Sequence, residues 1–165
     1  MKRIRSFLFV CLLVVGFLVY NSQKSTQEAM SKNCNVYFVD RQLHSLVPLS
    51  VTPEKNIEKT AEKIISEIIE GHDYNSEILR ITPNIKDSIT VKTSGEIAYV
   101  NLSGKLKDKI NQSRDTETLF VYQIVNSLTS IEGIEYVSFT VDGESRKDFL
   151  GFLDMRGLFT ADYDI

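Results

Sequence analysis

Six carboxylates gather toward the end of the chain, and paired carboxylates are the groups that cleavage of a glycosidic bond requires. They are Asp142, Glu144, Asp148, Asp154, Asp162 and Asp164. Asp142 and Glu144 form the candidate acid–base pair of a cell-wall hydrolase. A solvated acidic rim is the simpler interpretation, and we prefer it. The acids do not follow the D-x-[DN]-x-[DN]-G spacing of a calcium loop, so the sequence predicts no calcium site.

The histidines and cysteines show no arrangement that binds metal or attacks a substrate. His44 and His72 fall in predicted loops without an H-E-x-x-H spacing, which favours surface positions over zinc ligands. Cys34 has no neighbouring basic cluster to activate it, and Cys11 lies inside an apolar run, so no disulfide between them is expected. Phosphate-binding loops and nucleophile elbows are also missing from the sequence. We therefore predict that the protein is not an enzyme and uses no cofactor and no metal.

Two polar features would suit a binding protein. Gln123 and Asn126 lie on the second predicted helix, where they face either a ligand or, more simply, the hydrogen-bonded polar side of their own helix. An aromatic platform for peptidoglycan would draw on five tyrosines, Tyr37, Tyr99, Tyr122, Tyr136 and Tyr163. Most of these tyrosines occupy core-like positions and the chain has no Trp, so a cell-wall-binding module is the second choice.

The charge balance argues against a nucleic-acid partner. The chain of 165 residues carries 19 Lys and Arg against 22 Asp and Glu, a net charge of −3. Lys2, Arg3 and Arg5 precede the apolar run, so the remainder is more acidic still. Nucleic acids select basic surfaces, and no nucleic-acid binding is predicted.

The first twenty residues form a predicted membrane anchor or signal segment. Positive charge before an uncharged run, Phe7 to Tyr20, places the folded part outside the membrane. A helix over this run covers about 21 Å, short of a ~30 Å hydrocarbon core, which favours a cleaved signal and a secreted protein. No A-x-A-like cleavage site follows, and we prefer a retained single-pass anchor in the cell membrane. Its apolar residues are Phe7, Leu8, Phe9, Val10, Leu12, Leu13, Val14, Val15, Phe17, Leu18 and Val19.

The sequence predicts a polar linker over residues 21–33. It predicts a single α/β domain over residues 34–165. Thr52, Pro53 and Glu54 indicate the start of the first helix, with Thr52 as its N-cap, and Gly71 its end. Asp142-Gly143 is typical of a type I′ hairpin turn. The two apolar helix faces are Ile57, Ala61, Ile64, Ile65, Ile68 and Ile69, then Leu119, Phe120, Ile124, Val125, Leu128 and Ile131.

Strands are predicted before, between and after these helices. They are Val36–Val39, Leu46–Val51, Ser88–Thr93, Glu96–Leu102, Tyr136–Val141 and a last strand over Phe149–Phe152. Pro48 marks the second strand as an edge strand. The order β(β)αββαββ predicts an α+β fold, with two helices packed on one face of a mixed, mainly antiparallel sheet.

The series of blocks resembles the GerMN domain of GerM-type sporulation and spore germination proteins. The blocks are VYFVD (36–40), EIIEG (67–71), TPNI (82–85), ITVKTSGEIAYVNLS (89–103), ETLFVYQIVNSLTSIEGIEYVSFTVDG (117–143) and FLGFLD (149–154). The resemblance implies a fold similar to ring-building motifs, in a protein of endospore-forming bacteria. It further implies a membrane-tethered assembly or scaffold protein that contacts other membrane or extracytoplasmic sporulation proteins, with self-association and peptidoglycan contact left open. The family supplies no agreed catalytic residues, so none is carried over.

Overall fold

The computed structural model describes residues 33–71 and 78–165. The predicted anchor, Phe7 to Val19, and nearly all of the predicted linker lie outside these residues. Within the described part, no helix is long and apolar enough to cross a membrane.

Two α-helices, one short 3-10 helix (Gly104–Leu106) and seven strands make up the described fold. The helices are α1 (Ile57–Glu70) and α2 (Arg114–Thr129). The strands are β1 (Cys34–Asp40), β2 (Leu46–Val51), β3 (Ile78–Leu79), β4 (Ile89–Ser94), β5 (Ile97–Leu102), β6 (Tyr136–Val141) and β7 (Leu158–Phe159). The predicted α+β class is confirmed.

The strands divide between two sheets rather than forming one. The first has the order β2-β1-β3, with antiparallel pairs, and places Pro48 of β2 on its edge as expected. The second has the order β4-β5-β6-β7, in which only β5 and β6 are parallel. Strand β3 pairs with only two residues of β1, Val39 and Asp40. The backbone N–H groups of Asn35 and Tyr37 donate instead to side-chain hydroxyls, that of Ser130 at the C-cap of α2 and that of Ser127 within α2, at 2.9 and 2.8 Å.

Both predicted apolar helix faces enter the core. Helix α1 packs mainly on β4 and helix α2 on β1 and β6. All twelve predicted face residues are buried except Ile57, which is half-buried and packs against the core. Burial of each large aliphatic side chain contributes about 1.5–3 kcal/mol, so these two faces supply much of the driving force for folding.

The predicted start of α1 is wrong by one turn. Asn56 is the N-cap, and its side chain accepts the N–H of Lys59 at 2.8 Å. The Thr52–Glu54 segment folds back onto the helix instead, where the N–H of Glu54 donates to Thr60 Oγ1 at 2.9 Å. Asparagine caps a helix at least as well as threonine, which explains the later start. The predicted end is confirmed, since Gly71 has φ +54 and donates to Glu67.

The predicted last strand over Phe149–Phe152 is also wrong. This segment bends around the side chain of Glu117, and the last strand is β7. The Asp142-Gly143 turn is confirmed in its backbone geometry, because φ is +51 at Asp142 and +81 at Gly143.

Candidate functional site

The candidate acid pair, Asp142 and Glu144, makes separate local contacts. Asp142 Oδ1 accepts the backbone N–H of Gly104 at 2.9 Å, which fixes the hairpin tip to the turn after β5. Glu144 instead pairs with Arg146 at 3.1 Å. Within residues 33–71 and 78–165, no group of three or more His, Cys, Asp or Glu side chains is placed to hold a metal ion. The geometry assigns these two acids to local structure.

The other predicted polar residues divide between surface and local structure. His44 is exposed, and its backbone N–H donates to Asp40 Oδ1 at 2.7 Å, whereas His72 lies outside the described residues. Asp154 pairs with Arg156, whose guanidinium holds the pKa of that carboxyl well below its usual range. Cys34 is a free, buried thiol. Burial raises its pKa, which disfavours the reactive thiolate form.

Gln123 and Asn126 do not face a ligand. Both are buried, and the side chain of Asn126 forms two hydrogen bonds with the backbone of Asp162. Its Nδ2 donates to the Asp162 carbonyl at 2.6 Å, and its Oδ1 accepts the Asp162 N–H at 3.0 Å. Gln123 Oε1 accepts the hydroxyl of buried Thr82 at 3.2 Å. Both side chains are thus hydrogen-bonded inside the fold, as the simpler interpretation expects.

Glu117 is a buried charged residue whose burial was not predicted from the sequence. It is fully buried in the first turn of α2, and its carboxylate accepts the backbone N–H groups of Leu150, Phe152 and Leu153 at 2.6, 2.7 and 3.1 Å. The signal was present in the sequence, since Val121 and Ile124 follow at helical spacing on the same buried face. A glutamate on such a face requires internal partners. Its role is to anchor the loop after β6.

The five candidate tyrosines do not make one platform. Tyr99 and Tyr163 are exposed, whereas Tyr37, Tyr122 and Tyr136 are half-buried. Tyr163 stacks on Tyr37 with ring centroids 5.7 Å apart, and Tyr122 meets Phe159 edge to face. Tyr99 lies on a different surface, the outer face of the four-stranded sheet.

That outer face, which we call the open sheet face, presents apolar and polar side chains in register across four strands. Strand pairing places Lys92, Tyr99, Ser138 and Leu158 in one row. Ile97 and Tyr136 form the next row. Tyr99 is 47% exposed and Leu158 is 54% exposed, although both are large apolar side chains. Within the residues that the structure describes, no helix covers this face, because α1 and α2 both pack on the opposite side.

Side-chain hydrogen bonds join the strands of the open sheet face near the Asp142-Gly143 turn. Asn101 Oδ1 accepts the hydroxyl of Thr140 at 3.0 Å and the N–H of Gly143 at 2.7 Å. These bonds tie β5, β6 and the hairpin turn together.

A groove, which we call the α1–β4 groove, lies on the side of the four-stranded sheet opposite the open sheet face. Its volume is about 570 Å³. The floor consists of Ile65 and Ile69 from α1 with Ile89 and Val91 from β4; the rim includes Glu62, Glu70, Lys86 and Asp87. An apolar floor with a charged rim can hold a partner segment and orient it.

The sequence matches one protein family, described as sporulation and spore germination (Germane), over residues 35–147. A comparison with curated protein sequences finds no match.

Solved structures share the fold at low sequence identity. A Clostridium perfringens protein described as a lipoprotein superposes with a TM-score of 0.56 at 20% identity, over 78% of this chain and 87% of that one. The first GerMN domain of the sporulation protein GerM from Bacillus subtilis gives a TM-score of 0.58 at 16% identity, over 81% of this chain and 96% of that one. The tandem GerMN domains of the same protein give the same score and identity over 81% of this chain and 45% of that one.

Proposed function

The chain belongs to the Germane family of sporulation and spore germination domains, and from that premise we propose that it is a membrane-anchored, extracytoplasmic assembly protein. It acts in sporulation or germination by binding other membrane or extracytoplasmic proteins. The open sheet face is the proposed contact surface. Its exposed Tyr99 and Leu158, in one register row on the same face of the sheet, are the observation that carries the proposal.

Chemistry favours a protein partner for this surface. Tyrosine supplies a large contact area with little loss of side-chain freedom, and it is enriched at the centres of protein interfaces. The neighbouring Ser138 and Lys92 provide polar groups around the two apolar side chains. This mixture suits a protein surface with its own apolar centre and polar rim.

The proposed location is the outer side of the cell membrane, with residues 1–20 as the anchor. The basic and apolar order of those residues supports it, and the similar fold of the Clostridium perfringens protein described as a lipoprotein is consistent with a membrane tether. Because β1 begins at Cys34, the linker of residues 21–33 would separate the folded part from the bilayer.

Site-specific photo-cross-linking in sporulating cells tests the proposal. A benzophenone amino acid replaces Tyr99 in one strain and Leu43 in a control strain; Leu43 is 38% exposed on the β1–β2 turn, away from the open sheet face. We expect Tyr99 to cross-link to membrane or extracytoplasmic proteins that Leu43 does not capture. Equal capture from both positions, or no protein adduct from Tyr99 together with normal spore yield after deletion of the protein, would refute it.

A peptidoglycan-binding module is the alternative function, and the stacked pair of Tyr37 and exposed Tyr163 is the observation that favours it. Aromatic rings exposed in this way pack against sugar rings. Co-sedimentation with purified peptidoglycan, lost on Tyr163→Ala and kept on Tyr99→Ala, would support this alternative. Failure of the native chain to sediment with peptidoglycan would remove it.

A cell-wall hydrolase is the weaker alternative, because Asp142 and Glu144 both have structural partners. We propose that the protein is not an enzyme. Muropeptide release by the native chain, lost on Asp142→Asn and Glu144→Gln, would contradict this.

A further inference from the structure

Strand β4 presents a backbone edge that another strand can join. Ser103 donates its N–H to the Ser88 carbonyl at 2.8 Å, and antiparallel ladders bond at every second residue. The N–H and C=O groups of Ile89, Val91 and Thr93 therefore point away from β5. Across residues 33–71 and 78–165, no strand pairs with this outer edge. Such an edge is a template for an added strand.

The α1–β4 groove lies directly beside that edge. Ile65 and Ile69 of α1 line the groove together with Val91 of β4, so an added strand would lie beside β4 and against α1. Its backbone would bond to the outward groups of β4. Every second side chain would rest on the apolar floor. Recognition of an extended peptide by a strand edge and an adjacent helix is an established binding mode in other domains.

The charge of the rim selects the sequence of the occupant. Glu70 and Asp87 carry carboxylates there, beside the ammonium of Lys86. Glu62 adds a third carboxylate, which pairs with Lys59 of α1. A lysine or arginine on the added strand would lay its aliphatic stem over the isoleucines and bring its cation to these carboxylates. Basic side chains at alternate positions therefore complement this groove.

The same charges disfavour a second copy of this chain. Antiparallel pairing of two β4 edges would bring the two α1 helices side by side on one face of the joined sheet. Glu62 and Glu70 of each copy would then face the same carboxylates of the other, and like charges across an interface cost several kcal/mol.

We propose that the α1–β4 groove binds an extended segment of a partner protein, with lysine or arginine at alternate positions, as a fifth strand beside β4. The proposal rests on the proposed function in that the partner is a protein, but it uses a surface separate from the open sheet face.

Binding of defined peptides to the full-length chain in detergent tests the proposal. The probe is a labelled peptide of about eight residues, a normal strand length, that alternates lysine with threonine. One control peptide replaces lysine with glutamate. The other keeps the lysines and carries N-methyl groups on alternate backbone nitrogens, which blocks strand pairing. We expect saturable fluorescence anisotropy for the first peptide and at least about tenfold weaker binding of both controls.

Variants of the chain locate the site. Thr93→Pro removes an outward N–H that makes no bond to β5, and edge positions tolerate proline. Thr93→Ser is its control because it keeps the N–H. Glu70→Lys reverses a rim charge, and Glu132→Lys makes the same charge change at an exposed position outside the groove. We expect Thr93→Pro and Glu70→Lys each to weaken binding of the lysine–threonine peptide about tenfold. Both control variants should bind that peptide as the native chain does.

Several results would overturn the proposal. Equal binding of the N-methylated peptide would show simple charge attraction. Absence of saturable binding up to about 1 mM, the range of a very weak complex, would show that the groove takes no such strand. A dimer of the native chain that Thr93→Pro dissociates would assign the edge to a second copy. Peptide binding only after deletion of residues 21–32 would assign it to the linker of this chain.

The two proposals fail separately. If Thr93→Pro abolishes peptide binding while the Tyr99 cross-links persist in that strain, the two surfaces are independent. Missing Tyr99 cross-links with peptide binding intact would refute the proposed function of the open sheet face and leave the groove proposal standing.

Discussion

The carboxylate of Glu117 accepts the backbone N–H of Leu150 at 2.6 Å, across a sequence separation of 33 residues. The same side chain also accepts the N–H groups of Phe152 and Leu153, and it is fully buried. The bend at residues 149–153 therefore has its backbone donors satisfied by a helix side chain rather than by a strand. This contact closes the core beneath Phe149, which stacks on Phe120.

Glu117→Gln should destabilise the fold although it changes shape very little. An amide NH2 would replace one carboxylate oxygen and face backbone N–H donors, so at least one buried donor would lose its acceptor. The cost of such a loss is about 1–3 kcal/mol. Urea unfolding measures it, with Asp115→Asn as the control, because Asp115 is an exposed acid in the same first turn. If both variants lost equal stability, the helix dipole rather than the buried contact would explain the effect.

Ser127→Ala should weaken the junction between α2 and the first sheet. The Ser127 hydroxyl accepts the N–H of Tyr37 at 2.8 Å and donates to the Gln123 carbonyl at 2.6 Å. Alanine would leave the Tyr37 N–H without this acceptor, and we expect a loss of about 1–3 kcal/mol of unfolding free energy. Ser66→Ala, an exposed change on α1, should stay within about 0.5 kcal/mol. Comparable losses in the two variants would contradict the prediction.

The two α-helices and the five longer strands of this fold were predictable from periodicity, whereas the two-residue strands β3 and β7 and the connections between elements were not. The stripe of Ile64, Ile65, Ile68 and Ile69 follows helical spacing, and all four are buried. By contrast, the hydroxyls of Ser127 and Ser130 accept N–H groups of β1 across about ninety residues of sequence. Spacing within a short window carries no information on such contacts.

The candidate surfaces were even less predictable than the fold. The sequence predicts Tyr99 only as one position of an alternating strand. Its exposure depends on both helices packing on the other face of the sheet. The α1–β4 groove exists because β4 is an edge strand, which the order of the elements along the chain does not determine. The burial of Glu117 was not predicted, because an acid in a first helical turn normally interacts with the helix dipole at the surface.

Asn126→Asp should release the end of the chain. The present amide donates to the Asp162 carbonyl and accepts the Asp162 N–H, as a neighbouring strand would. A carboxylate oxygen in place of Nδ2 would face the carbonyl oxygen and repel it. We expect residues 160–165 to exchange their amide hydrogens faster, and stability to fall by about 1–3 kcal/mol. Asn111→Asp, an exposed change, is the matched control. Unchanged exchange at Asp162 in the Asn126→Asp variant would disprove this anchoring.

The two faces of β5 should respond oppositely to the same kind of change. Tyr99→Ser removes an exposed side chain and should alter the unfolding free energy by no more than about 0.5 kcal/mol. Val100→Ser, the next residue, places a hydroxyl at a buried position and should cost roughly 2–5 kcal/mol. Urea unfolding of both variants tests this. A large loss in Tyr99→Ser would mean that the open sheet face serves the fold of this chain rather than a partner.

Asp40 should make stability depend on pH in the acid range. Its Oδ1 accepts the backbone N–H of His44 at 2.7 Å and that of Ser45 at 3.3 Å, which closes the β1–β2 turn. These bonds, the one from His44 foremost, lower the pKa of Asp40 below its ordinary value. The folded chain therefore binds this proton less readily than the unfolded chain, whose aspartates titrate near about 3.9.

The resulting stabilisation should be complete above that pH and should disappear as the pH falls through the lower folded pKa. The measurement is the difference in unfolding free energy between the native chain and Asp40→Asn, followed from neutral pH downward. Asparagine keeps the side-chain oxygen but cannot carry the charge, so the difference should shrink only below about pH 4. A difference that stays constant through this range would mean that the ionised carboxylate of Asp40 does not stabilise the turn.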